Sequence, residues 1–154
     1  MTPTQARDPY DWAALLSLIR TSFAYMDGRI DPPSSMHHLT VADIRRQAET
    51  DEIWVIGDPR PLACVFLTPR PHALYIGKLT TVASHRRQGY ARMLVDLAEA
   101  RARAQGLPAL ELQSRIELVE NHTAFATLGF RITGETAHPG HDETTSLTFT
   151  KMLD

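Results

Sequence analysis

The chain has 154 residues, of which 43% are hydrophobic and 22% are charged, and its formal net charge is −2. The length suits a single domain over residues 1–154, and the composition excludes a fibrous or wholly disordered chain. The charge gives no general attraction to nucleic acid or to an anionic membrane, and no run of about eighteen apolar residues is present. The first residues lack a signal-peptide pattern, so we expect a cytoplasmic location. The only cysteine, Cys64, lies in an apolar run and is predicted to be a buried structural thiol.

Hydrophobic periodicity divides the chain into helices and short β-rich runs. In the first helix Trp12, Leu15 and Ile19 fall on one face, and Thr40 with Asp43 three residues later predicts the start of a second helix. The predicted elements are helices at 11–25 and 40–49, strands at 53–56, 62–67 and 73–82, a helix at 90–105, a strand at 109–113, a helix at 117–128, and strands at 130–134 and 146–152. This order predicts an α/β fold of the α+β type. We expect a mixed, mostly antiparallel sheet of six to seven strands with a parallel crossover, flanked by about four helices.

The most informative stretch is the turn Arg86-Arg87-Gln88-Gly89-Tyr90-Ala91, which joins the third predicted strand to the long helix. The start of a helix presents unpaired N–H groups and the positive end of the helix dipole, and both favour a bound anion. Gly89 permits close approach of the backbone, and Arg86, Arg87 and Arg92 add positive charge. The turn therefore predicts a phosphate or pyrophosphate site.

Two common nucleotide-binding motifs do not fit this turn. A Walker loop requires G-x-x-x-x-G-K-[ST], and a dinucleotide-binding turn requires G-x-G-x-x-G, whereas only Gly89-Tyr90-Ala91 is present here. Glu111 lies near the distance at which a ribose-binding acid is sought, but it falls inside a predicted strand. The phosphate must therefore belong to another kind of ligand.

In its strand, turn and helix the sequence resembles the GNAT superfamily of acyl-CoA-dependent N-acyltransferases, whose signature is a strand followed by R-x-x-G-x-[GA] and a helix. Arg86, Gly89 and Ala91 occupy that signature. Leu79-Thr80-Thr81 is similar to the family's L-A-V stretch, whose splayed strand pairs with the pantetheine arm, and Leu128-Gly129-Phe130 is similar to its L-G-F helix ending. The resemblance covers most of the chain from about Ile53 onward.

The resemblance implies a single-domain N-acetyltransferase that uses acetyl-CoA as co-substrate and needs no metal. The acetyl group would pass to a primary amine of a small molecule or peptide by direct attack in a ternary complex. The coenzyme-binding residues that the resemblance implies are Leu79, Thr80, Thr81, Val82, Arg86, Arg87, Gln88, Gly89, Tyr90, Ala91, Arg92, Asn121 and Phe125. Among them, backbone N–H groups near Thr81 and Val82 would polarise the thioester carbonyl.

One position departs from the family pattern. The family often carries a tyrosine four residues before the glycine of L-G-F, as general acid toward the departing thiolate, and here Phe125 occupies that position. Because phenylalanine has no hydroxyl, the role is vacant, taken by another group or left to water, at a cost of about 10²-fold in rate or less. Glu117 and Asn121 are the candidate catalytic residues, Glu117 as a base and Asn121 as a polar partner of the pantetheine amides.

Two polar loops, 26–35 and 137–146, are long enough to wall an acceptor pocket. The candidate acceptor-binding residues are Asp27, Arg29, Asp31, Arg115 and His138. The histidines of the chain show no third ligand at a spacing diagnostic of a metal site, either for His37-His38 or for His138 with His141. The identity of the amine is left open, and a homodimer is possible.

Two other functions are weighed against transfer to an amine. A non-catalytic acyl-CoA sensor or interaction module is suggested by Phe125 at the usual tyrosine position. A hydrolase of acyl-CoA would need an activated water, and the sequence shows no Ser-His-Asp or metal framework to activate one.

Overall fold

The structure is a computed structural model that describes residues 1–154, and one seven-stranded sheet organises it. The strands are β1 (Thr4–Gln5), β2 (Glu52–Ile56), β3 (Ala63–Pro69), β4 (Leu74–Thr81), β5 (Ala109–Arg115), β6 (Arg131–Thr136) and β7 (Ser146–Met152). Their order across the sheet is β1-β2-β3-β4-β5-β7-β6, and only β4 and β5 pair in parallel. The predicted mixed, mostly antiparallel sheet is confirmed. The sequence did not predict β1, which is only two residues long.

Four α-helices cover the sheet, as predicted. They are α1 (Trp12–Phe23), α2 (Val41–Thr50), α3 (Tyr90–Ala104) and α4 (Val119–Thr127). The predicted start of α2 is confirmed as a capping box: Thr40 Oγ1 accepts from the N–H of Asp43, and the Asp43 carboxylate accepts from the N–H of Thr40. The prediction for α4 was wrong at its start, because Glu117 lies in the turn before the helix.

The core lies on both faces of the sheet. On one face α3 packs Leu94 and Ala98 against the inward residues of β3, β4 and β5. On the other face α1 and α2 cover β2 and β3, with Ile19 and Ile44 in the same cluster as Phe66. The two helical layers hold the middle strands from both sides, so the ends of β4 and β5 are positioned by a rigid frame. None of the helices combines the length and the apolar character that crossing a membrane requires.

Cys64 is fully buried on β3, as its apolar surroundings predicted. Burial raises the pKa of its thiol to about 12. A thiol that stays protonated is a poor nucleophile, so Cys64 is a structural residue.

Candidate active site

A cleft opens where β4 and β5 separate. The two strands are paired only at Leu74 with Leu110 and at Tyr75 with Glu111, and they diverge beyond that point. The cleft has a volume of about 1110 Å³ and is bounded by β4, β5, the start of α3, α4 and the segment that follows α1. This volume is at the upper end of the usual range for a ligand site and leaves room for a long ligand or for two ligands.

A β-bulge turns the end of β4 into the cleft. Cys64 of β3 faces Thr80, whereas Phe66 faces Gly77, so β4 holds one extra residue between these pairs. Lys78 lies in this bulge with a φ of 51°. Its carbonyl oxygen accepts from Thr80 Oγ1 at 2.8 Å and from Cys64 Sγ at 3.5 Å, which stabilises the bend.

The edge of β4 that faces the cleft keeps free N–H groups. The N–H of Val82 donates to Leu62 O at 2.7 Å, so of the two N–H groups named above this one is not free to polarise a carbonyl. In an antiparallel ladder the residues that bond to the neighbouring strand alternate with residues whose N–H points the other way. Thr81, one residue before Val82, therefore directs its N–H toward β5, on the side where pairing has ended.

The start of α3 carries a row of backbone donors without partners. From residue 87 to residue 92 no N–H group makes a backbone or side-chain hydrogen bond, and the first is that of Met93, to Gly89 O at 2.9 Å. Arg87 and Gly89 have φ values of 66° and 83°, which turn the backbone around the site. A Cβ atom on Gly89 would meet no atom within 4 Å, so the space in front of the turn is open.

Positive side chains surround these donors. Arg86, Arg87 and Arg92 are exposed and form no salt bridge. All three line the cleft. Free N–H groups, the positive end of a fifteen-residue helix and three unpaired guanidinium groups together suit a ligand with several phosphate charges.

Tyr25 spans the cleft between this turn and α4, and the sequence did not single it out. The guanidinium of Arg86 lies over the Tyr25 ring at 5.5 Å, and Asn121 Nδ2 donates to the Tyr25 hydroxyl at 3.3 Å. Because the hydroxyl accepts this bond, its own proton is free to be donated. The only signal in the sequence was an aromatic residue at the end of the first helix, next to a polar loop.

The Phe125 side chain packs against two other phenylalanine rings. Its ring meets those of Phe130 and Phe149 edge-on, at centroid distances of 6.2 and 5.5 Å, and it also lines the cleft. Ser114 on β5 also lines the cleft. Ser114 is 7% exposed, and its Oγ has no hydrogen-bond partner.

His138, from the loop between β6 and β7, also lines the cleft. Its Nδ1 is hydrogen-bonded to Thr145 Oγ1, which also accepts from the His138 N–H at 2.9 Å, so the imidazole is fixed on an otherwise irregular loop. Burial, together with the charges of Arg115 and His141, lowers the pKa of His138, and the opposing effect of Glu117 is smaller. A histidine with a lowered pKa is neutral near pH 7 and can accept a proton.

Most of the sequence-predicted residues line this one cleft. The residues brought together there are Leu79, Thr80, Thr81, Arg86, Arg87, Gly89, Tyr90, Ala91, Arg92, Asn121, Phe125, Arg29, Arg115 and His138. Val82 and Gln88 are not on its wall, although Gln88 offers one of the free N–H groups of the turn.

Three of the predicted acidic residues do not line this cleft. Asp27 pairs with His37 at 2.7 Å outside the cleft. Asp31 also lies outside it, and its backbone N–H donates to Glu117 Oε2 at 3.1 Å. Glu117 holds the loop by this bond, and it does not line the cleft, although its charge acts on Arg115 and His138. The chain has no group of three or more His, Cys, Asp or Glu side chains arranged to hold a metal ion.

Comparisons with known proteins agree with this geometry. Residues 12–130 match the model of the acetyltransferase (GNAT) family. None of the curated proteins matches the chain in sequence. Among solved structures, PaiA N-acetyltransferase from Thermoplasma acidophilum in complex with coenzyme A has a TM-score of 0.80 at 11% identity, with 99% of this chain and 100% of that chain covered.

Two further structures show the same fold. An aminoglycoside 6′-N-acetyltransferase complexed with coenzyme A has a TM-score of 0.77 at 11% identity, with 99% of this chain and 97% of that chain covered. A Bacillus anthracis protein named as a streptothricin acetyltransferase, in complex with acetyl coenzyme A, has a TM-score of 0.61 at 15% identity. In that match 68% of this chain is covered, and it spans 63% of the other chain's length.

Proposed function

This chain belongs to the acetyltransferase (GNAT) family, and from that premise we propose that it transfers an acetyl group from acetyl-CoA to a primary amine of a small molecule or peptide. The observation that carries the proposal is the row of free N–H groups from residue 87 to residue 92, next to the point where β4 leaves β5. Structures of the same fold in complex with coenzyme A or acetyl-CoA support the choice of coenzyme. We also propose that residues 1–154 act as one domain, because β1 and β7 belong to the same sheet.

We assign the pyrophosphate and the pantetheine arm of the coenzyme to two different sets of free backbone N–H groups, one at the start of α3 and one along β4. The pyrophosphate is assigned to the start of α3, where Arg86, Arg87 and Arg92 neutralise its charge. The pantetheine arm is assigned to the open edge of β4, with Asn121 on the opposite wall. An amide-containing arm can pair with a strand edge as another strand does, which suits the free edge beyond Tyr75.

The reaction needs one new C–N bond, one broken C–S bond and three proton transfers, because the nitrogen loses two protons and the sulfur gains one. The acceptor ammonium loses a proton, and the free amine attacks the thioester carbonyl carbon to form the C–N bond. The oxyanion that develops is assigned to the N–H of Thr81, which directs its donor into the cleft. The C–S bond then breaks, the nitrogen loses its second proton to give the neutral amide, and the coenzyme thiolate takes a proton to leave as the thiol. Holding both reactants in one cleft supplies much of the rate.

We assign the proton acceptor to His138. Its imidazole lines the cleft, and its pKa is lowered by burial and by the charges of Arg115 and His141, so the neutral form dominates at pH 7. A neutral imidazole can take the ammonium proton directly or through one water. His138 thus replaces Glu117 in the mechanism predicted from the sequence.

We assign the proton donor to Tyr25, in the role that Phe125 leaves vacant. Asn121 donates to the Tyr25 hydroxyl and so directs the phenolic proton away from α4. Asn121 lies one turn before Phe125, which is about 6 Å along the helix axis. The phenol therefore lies near the place where a tyrosine at position 125 would present its own hydroxyl.

The test of the proposal is release of free thiol from acetyl-CoA with a broad panel of primary amines. We expect turnover with at least one amine and loss of about 10²-fold or more in kcat/KM for His138→Gln, with the acidic limb of the pH profile removed. Tyr25→Phe is expected to lower kcat by roughly 10-fold to 10²-fold without weakening coenzyme binding. Absence of turnover above the blank across the whole panel would refute the catalytic proposal.

A non-catalytic acyl-CoA sensor is the second candidate, and Phe125 is the observation that favours it. Its ring is committed to packing against Phe130 and Phe149 and offers no proton donor. Calorimetry distinguishes the two functions, because a sensor binds coenzyme A without turnover, whereas failure to bind coenzyme A excludes both. A cytoplasmic location and a homodimer stay predictions.

A further inference from the structure

We propose that the acceptor amine also carries a compact oxyanion, such as a carboxylate, and that Arg115 binds this group. The inference rests on the proposed function and adds the class of acceptor. It comes from the charges on the cleft wall around His138 and Arg115, here called the acceptor end of the cleft.

The cleft is lined by six cationic side chains and by one carboxylate, that of Glu120. Three of the cations belong to the α3 turn and are assigned to the coenzyme. Lys78 donates to Gln47 on α2 and lies over the ring of Phe66, away from the acceptor end. Arg29 is paired with Glu120 at 2.8 Å. Arg115 is therefore the remaining cation: it is not assigned to the coenzyme, and no carboxylate lies within salt-bridge distance of it.

The guanidinium of Arg115 is fixed in orientation and keeps donors to spare. It donates to Pro32 O at 2.7 Å and to Pro33 O at 3.2 Å, which leaves three of its five N–H groups free. No carboxylate lies within salt-bridge distance of it. Burial lowers the pKa of Arg115 despite the charges of Glu117 and Asp31, so this cation is only partly solvated. An anionic ligand would replace the contacts with water that the charged guanidinium loses through burial.

A second observation points to a polar ligand at this end. Ser114 precedes Arg115 on β5 and lies where the strand has left β4. Its Oγ is buried without a hydrogen-bond partner, although the residue lines the cleft. Leaving a buried hydroxyl unpaired is costly, so a ligand oxygen or nitrogen is its natural partner.

The same wall disfavours polycationic acceptors. A second ammonium on the acceptor would find Glu120 already bound to Arg29 and would lie near the charge of Arg115. Repulsion of the wrong ligand is a common source of specificity in charged sites. The positive charge also lowers the pKa of an approaching ammonium, which helps to release the free amine for attack.

The test uses pairs of acceptors that differ only in the anionic group. With wild-type protein and acetyl-CoA, thiol release is measured for a set of amino acids, for their carboxamides, for aminoalkylphosphonates, and for spermidine and kanamycin as polycations. We expect the acids to exceed the carboxamides by about 10-fold or more in kcat/KM. This preference is diagnostic because the carboxamides have the lower ammonium pKa. More of their amine is free to attack, so they would react faster if the protein did not recognise the anionic group. Phosphonates separate a general oxyanion site from one specific for carboxylate.

Arg115→Gln tests the assignment to this residue. We expect it to lower kcat/KM for the preferred acid by at least about 10-fold more than for its carboxamide, because both acceptors lose the effect of the Arg115 charge on His138 and on the ammonium, and only the acid loses an ionic partner. Arg115 also binds the 32–33 segment, so turnover of the carboxamide by the same variant reports any damage to that loop. Arg131→Gln, on exposed β6, is the matched control for loss of a positive charge. Equal losses for acid and carboxamide in this variant would overturn the inference that Arg115 binds the acceptor's oxyanion. Faster turnover of carboxamides or polycations by the wild type would overturn it as well. Neither result would count against the proposed function. Absence of turnover with every acceptor would overturn the proposed function and this inference together.

Discussion

Gly89→Ala is the substitution that best isolates the anion site at the start of α3. Gly89 has a φ of 83°, a conformation that L-residues adopt at a cost of roughly 1–2 kcal/mol. The added methyl meets no atom within 4 Å, so no clash with the protein adds to this cost. Alanine also reduces the entropy of the unfolded chain, which offsets about 0.4–1 kcal/mol. We therefore expect a net loss of about 1 kcal/mol and a fall in Tm of about 2–4 °C.

The effect of Gly89→Ala on coenzyme binding should be larger than its effect on stability. The methyl projects beside the free N–H groups of residues 87–92, where the pyrophosphate is assigned. A hydrogen bond to a charged group contributes about 1.5–3 kcal/mol, so displacing even one of these contacts predicts a 10- to 100-fold rise in the Kd for coenzyme A.

The matched control for Gly89→Ala is Gly106→Ala, at the other end of α3. Gly106 has a φ of 71°, and a Cβ there also meets nothing within 4 Å. The two variants should lose similar stability in thermal unfolding, and calorimetry should show weaker coenzyme binding only for Gly89→Ala. Equal Kd values for the two variants would refute the assignment of the pyrophosphate to this turn.

Three further perturbations follow from the structure. Arg86→Gln should raise the Kd for coenzyme A by about 3- to 10-fold and reduce its dependence on salt, as calorimetry at two ionic strengths will show. Phe125→Tyr in a Tyr25→Phe background should restore most of the lost kcat; no recovery would contradict a shared proton-donor role. Burial raises the pKa of Glu52, but the hydrogen bonds from Arg101 and Trp54, together with the charges of Arg101 and Arg7, outweigh it and hold this pKa below its ordinary value. The resulting stabilisation is present above about pH 4.5 and lost as pH falls through the lowered pKa. Glu52→Gln should therefore flatten the fall of Tm between about pH 5 and pH 3, and an unchanged slope would contradict the ion pair's role.

The elements of the fold were largely predictable, because periodicity and capping act over a few neighbouring residues. The capping box of Thr40 with Asp43 and the turn at Gly89 are local patterns, and the structure contains both. The bulge at Lys78 was not predictable, because it depends on how β3 and β4 align and on side chains of both strands that bind its carbonyl.

The cleft was predictable on its coenzyme side and much less so on its acceptor side. The turn at the start of α3 is one continuous segment, so the residues that supply its donors and charges are neighbours in the sequence. Tyr25 and His138 reach the cleft from segments more than a hundred residues apart, and only tertiary structure brings them to one wall. The positions of Asp27 and Glu117 were not predictable for the same reason, since partners from elsewhere in the chain bind both carboxylates and neither lines the cleft.

The central claim is that the free N–H groups of residues 87–92 bind the phosphates of acetyl-CoA. The direct measurement is a titration of the isotopically labelled protein with acetyl-CoA, followed through its backbone amide NMR signals. The account predicts saturable binding, with the largest downfield proton shifts at residues 87–92 and smaller ones along β4 near Thr81. Saturable binding whose shifts fall elsewhere, or no binding at millimolar acetyl-CoA, would contradict it.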